Sequence, residues 1–109
     1  MATNYKVLGQ VNPSATTATT LYTVPSATQV VASSIVVCNQ ASTSGTYRIA
    51  VRPNGATLSA EHYIVYGSTV AANDSTVMTI GITMDAADVV TVYSSSANMS
   101  FNLFGSEIV

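Results

Sequence analysis

The sequence predicts an all-β fold, an antiparallel β-sandwich or jelly-roll-like barrel of about eight short strands, and three features predict it. Runs rich in Val, Ile, Thr and Tyr recur at short intervals, clusters of Ser, Asn, Gly and Pro separate them, and no stretch sustains a helical period.

The first strand is placed at 5–10 (YKVLGQ), followed by NPSATTATT at 12–20, a mildly low-complexity stretch of small and β-branched residues that reads as an exposed loop. It leads into TTLYTV at 19–24 and then VVASSIVVCN at 30–39, where Cys38 is expected as an inert thiol in a buried strand. Strand 46–53 (TYRIAVRP) alternates: Tyr47, Ile49 and Val51 face one way, Arg48, Ala50 and Arg52 the other. PNGA ends it with Asn54-Gly55, a pair that tolerates positive φ. HYIVYG at 62–67 follows, then the AAND turn, then TVMTIGITM at 76–84, expected as one strand with Met78, Ile80, Ile82 and Met84 sharing its buried face. After the MDAAD turn come DVVTVYS at 88–94 and NMSFNLF at 98–104, in which Met99, Phe101 and Leu103 oppose Asn98, Ser100 and Asn102. Turns this short make meander connections the natural expectation.

With 109 residues the chain fits one domain, 1–109, with residues 1–4 and 106–109 as candidate extended arms. Charged residues are 7% of it, against about 25% in an average soluble protein, so Ser, Thr, Asn and Gln supply most of the polar surface. A net charge of −2 leaves no basic footprint for nucleic acid and no polybasic surface for a membrane. The start MATNYKVLGQ lacks the basic and apolar regions of a secretory signal, so the translated chain is expected to be the mature one.

Residues for catalysis are sparse. Glu61 and His62 are adjacent, and neighbours on a strand point to opposite faces, which favours a structural role. Asp85 and Asp88 flank a turn without the further oxygen ligands of a calcium loop and read as turn formers. A zinc-binding Cys/His cluster, a phosphate-cradling Gly loop and a Gly-x-Ser-x-Gly elbow are all missing. The expectation is a protein that is not an enzyme, with no catalytic residues, no cofactor and no metal. The Asn73-Asp74-Ser75 and Asn98-Met99-Ser100 glycosylation patterns read as chance matches without a secretory signal.

Lysines and inward charges normally protect sheet edges from unwanted pairing, yet this chain has a single lysine, Lys6, and long strands with no internal charge. Covering those edges and faces with other subunits solves the problem, which points to an assembly component. Arg48, Arg52, Lys6 and Glu107 are the candidate subunit-contact residues. The two arginines project from one strand face about 13 Å apart, too far to clamp one small anion together but suited to ion pairs with a neighbouring subunit.

Three stretches, YRIAVRPNGATLSAEHYIVYG at 47–67, ANDSTVMTIGITMDAADVVTVYSS at 72–95 and ANMSFNLFGSEI at 97–108, together with the opening KVLGQ, resemble a group of small virion structural proteins of tailed bacteriophages, including cyanophages. The resemblance spans nearly the whole chain and rests on the order of these pieces, none of which is a mechanistic motif. It implies a capsid decoration or cement protein, β-rich and homo-oligomeric, made in the host bacterial cytoplasm. Such a protein would sit on the virion's capsid surface and stabilise the shell of the major capsid protein. The alternatives are a tail, neck or baseplate-associated fibre subunit, or a host-surface glycan-binding module using Tyr22, Tyr63, Tyr66 and Tyr93 as aromatic platforms.

Overall fold

A computed structural model describes residues 2–109. Among these residues nine strands form two antiparallel sheets: β1 (Thr3–Val11), β2 (Thr19–Thr23), β3 (Gln29–Asn39), β4 (Gly45–Arg52), β5 (Tyr63–Val70), β6 (Ser75–Met78), β7 (Ile82–Met84), β8 (Val89–Ser94) and β9 (Met99–Ile108). The first sheet runs β1-β9-β3-β6, with β7 also on β3, and the second runs β2-β8-β4-β5.

The pairing is nested. The chain doubles back between β4 and β5; β3 then pairs with β6 and β7, β2 with β8 and β1 with β9, while β9 also joins β3 and β8 also joins β4. A long antiparallel ribbon wrapped on itself in this way is a jelly-roll sandwich. The meander expectation therefore gives way to connections that mostly cross between the sheets, leaving β4–β5 as the hairpin within one sheet.

Alternation decides what the sandwich encloses. Val30, Ala32, Ile35 and Val37 of β3, Met99, Phe101 and Leu103 of β9, and Tyr47 and Ile49 of β4 are buried between the sheets. Tyr47 meets Phe101 edge to face at 6.3 Å. Burying a side chain such as Ile35, Ile49 or Phe101 is worth roughly 1.5–3 kcal/mol, and this interior is what holds two such weakly charged sheets together.

Three expectations are corrected. The predicted strand 76–84 is broken at 79–81, and Ile80 is exposed instead of sharing a buried face with Met84. Its halves pair with separate parts of β3, Ile35–Cys38 and Val30–Ala32, on either side of the Ala32/Ser34 bulge that β3 forms against β9. A bulge bends and twists its strand, and Gly81 weakens the partner opposite it. Cys38 lies on the outer face of β3, partly exposed, because the buried set there is Val30, Ala32, Ile35, Val37 and Asn39. Of the predicted arms 1–4 and 106–109, residue 1 lies outside the described residues, and the others are paired within the chain: Asn4 pairs with Glu107, and Ala2 and Val109 exchange two backbone hydrogen bonds of 2.8 and 2.9 Å.

Candidate interaction faces

The register places a broad uncharged surface on the outside of the first sheet. Tyr5, Ser106, Val31 and Thr83 form one row across it; Gln10, Asn102, Val36 and Val77 form another; Val7, Phe104 and Ser34 lie between them, and Ser100, Cys38 and Ser75 follow. Tyr5 is 85% exposed and Val77 62%, with Val7 and Val31 also exposed. None of the three basic or five acidic residues stands on this face. Its polar members partly satisfy one another, as where the Gln10 amide donates to Asn102 Oδ1 at 2.6 Å. Sequence reasoning missed these apolar residues as a unit because the face combines β1, β9, β3, β6 and β7, whose order is not written in their alternation.

The outside of the second sheet carries both arginines, in different settings. Arg48 lies opposite Tyr93 of β8, and its guanidinium carbon is 4.2 Å from the centroids of both the Tyr66 and Tyr93 rings. Arg52 is committed locally: Nε donates to Thr91 Oγ1 at 3.1 Å, and Nη1 donates to the Ala56 carbonyl at 3.0 Å and the Gly55 carbonyl at 3.4 Å. Arg52 thereby pins the Pro53–Gly55 turn, where Asn54 and Gly55 both have positive φ as expected of the pair. Tyr63 meets Tyr66 edge to face at 4.9 Å, and both line a shallow recess with Leu58, Ser59 and Ala60. Three of the four aromatic platform candidates thus gather on one face, while Tyr22 is buried.

Lys6 and Glu107 find each other. Lys6 Nζ lies 3.2 Å from Glu107 Oε1, and the Tyr22 hydroxyl donates to Glu107 Oε2 at 2.5 Å. Glu107 is 9% exposed, and both of its carboxylate oxygens have partners within the chain. The Tyr22 hydrogen bond, with help from Lys6, holds the Glu107 carboxyl below the usual carboxylate range.

The remaining ionisable residues serve turns. His62 belongs to a short 3-10 turn, Ala60–His62, where its Nδ1 accepts from the Ser59 N–H at 3.1 Å. Asp88 Oδ1 accepts from the Asn54 N–H at 2.8 Å and Oδ2 from the Asp85 N–H at 2.9 Å, tying two connections together. Among the described residues no group of three His, Cys, Asp or Glu side chains is placed to hold a metal ion.

Compared with protein-family profiles, curated proteins and solved structures, the chain matches none of them.

Proposed function

We propose that the protein is a structural component of a tailed-phage virion, a capsid decoration protein that binds the shell of the major capsid protein and copies of itself on the capsid surface. The observation that carries this reading is the uncharged outer face of the first sheet, with Tyr5, Val7, Val31 and Val77 exposed upon it. Exposed apolar patches rimmed by polar groups mark protein contacts, and many modest contacts repeated on a lattice hold by avidity. The particle itself is named by the sequence resemblance; the jelly roll serves many functions and adds only a compatible scaffold.

The test places a charge in the face. Val77→Lys, at an exposed strand position, is expected to leave the fold intact and abolish attachment to capsids, leaving shells less resistant to heat while host adsorption is unchanged. Wild-type attachment by this variant and by a Tyr5→Glu variant overturns the proposed contact face, and a protein that labels only tails in electron micrographs overturns the decoration role.

A further inference from the structure

Arg48 is the basic residue whose side chain has neither a counter-ion nor a hydrogen-bond acceptor among the described residues. Its guanidinium is sandwiched between Tyr66 and Tyr93, yet among the described residues its N–H groups make no hydrogen bond and no ion pair. Arg52, four residues on, has its donors occupied, and Lys6 has Glu107. Two flanking rings restrain a guanidinium plane and leave its edge as the direction in which the donors point. A planar carboxylate is the natural bidentate acceptor for that edge.

Beside this fork lies the recess of Leu58, Ser59, Ala60, Tyr63 and Tyr66, which shares Tyr66 with the arginine sandwich. Aromatic and aliphatic surface with few polar groups suits the C–H face of a ring, whereas an acidic protein side chain would use Arg48 and leave the recess empty. A phosphate dianion is matched less well, because a single guanidinium faces its two charges. Sugar hydroxyl groups, by contrast, have a polar partner in Ser59, which lines the recess.

We propose that the outer face of the second sheet binds an acidic carbohydrate of the uronic-acid type, its carboxylate on Arg48 and its ring against Tyr66 and Tyr63. This site stands on the opposite side of the sandwich from the proposed capsid contact and does not depend on it.

The experiment titrates isotope-labelled protein with oligogalacturonate, its methyl ester and an acidic peptide, following the Arg48 side-chain and Tyr66 resonances. Oligogalacturonate is expected to shift both, the ester to bind at least about tenfold more weakly, Arg48→Gln to lose the difference between acid and ester, and Arg48→Lys to keep only part of it. Tyr63→Ala weakens acid and ester alike, and Lys6→Gln leaves both unchanged. Equal binding of acid and ester, unchanged binding by folded Arg48→Gln protein, or no shift at millimolar sugar overturns the proposal. A response to the acidic peptide alone assigns Arg48 to a protein partner and overturns the carbohydrate reading.

Discussion

The Tyr22 hydroxyl donates to the Glu107 carboxylate at 2.5 Å, joining β2 of the second sheet to β9 of the first where the two sheets meet. Lys6 on the edge strand β1 holds the other carboxylate oxygen. The single lysine thus acts as an inward-facing edge charge, one of the devices that discourages a sheet from pairing with another chain.

Stability is expected to fall at both ends of the pH scale for opposite reasons. Glu107 has a folded pKa below its unfolded value, so its contribution is complete above the ordinary carboxylate range and is lost as pH falls through the folded value. Burial, and then the Glu107 hydrogen bond, raises the Tyr22 pKa, so that contribution is complete below about 10 and is lost as pH rises through the folded value. Chemical unfolding across pH should show Glu107→Gln flattening the acid limb. Tyr22→Phe should cost about 1–3 kcal/mol at neutral pH and flatten the alkaline one.

Asn39 is a second polar tie, buried at the opposite end of β3. Its Nδ2 donates to the carbonyls of Thr43 at 2.9 Å and of Val70 and Ala71 at 3.2 Å, and its Oδ1 accepts from the Ala41 N–H at 3.0 Å. Asn39→Asp keeps the shape, removes the donor and points a carboxylate at carbonyl oxygens. A loss of about 3 kcal/mol or more is expected in denaturant titrations, larger than for Asn39→Ala.

Gly105 is required by close approach rather than by a special φ. A Cβ there would fall on the Val31 carbonyl oxygen and the Ala32 Cα, both backbone atoms of β3 that cannot swing aside. Gly105→Ala is expected to lower the thermal midpoint by many degrees. Gly81→Ala, where a Cβ meets nothing, should change it little.

What the sequence revealed follows from the range of each signal. Alternation is local, so the buried face of 98–104 and the burial of Tyr47 and Ile49 were legible, as was the positive-φ pair Asn54-Gly55, whereas Ala50, expected on the outer side with the arginines, is itself buried and Val51 only partly so. Strand order is set by distant pairings, and no local pattern announced that β3 would bulge and split 76–84 or that Asn4 would lie against Glu107. The Arg48 sandwich needed the same long-range information, since Tyr66 and Tyr93 arrive from the two strands flanking β4. The Lys6–Glu107 pair within the chain was hidden for a related reason: rarity of charge raised the importance of each charged residue without indicating which would pair with which.

Cys38 offers a reporter for the uncharged face. It is partly exposed beside Ser100 and Ser75, so a maleimide should label the native protein without denaturant, and mass spectrometry should find one adduct. If capsid attachment covers this face, particle-bound protein should resist labelling, and protein labelled beforehand with a bulky maleimide should no longer attach. Equal labelling free and bound would place the contact elsewhere, and the charged variants Val77→Lys and Tyr5→Glu should then attach normally. Agreement between the thiol and charge experiments would come from different strands of one sheet, β3 for the thiol and β6 and β1 for the charges, so a shared result reports the face rather than damage to one element.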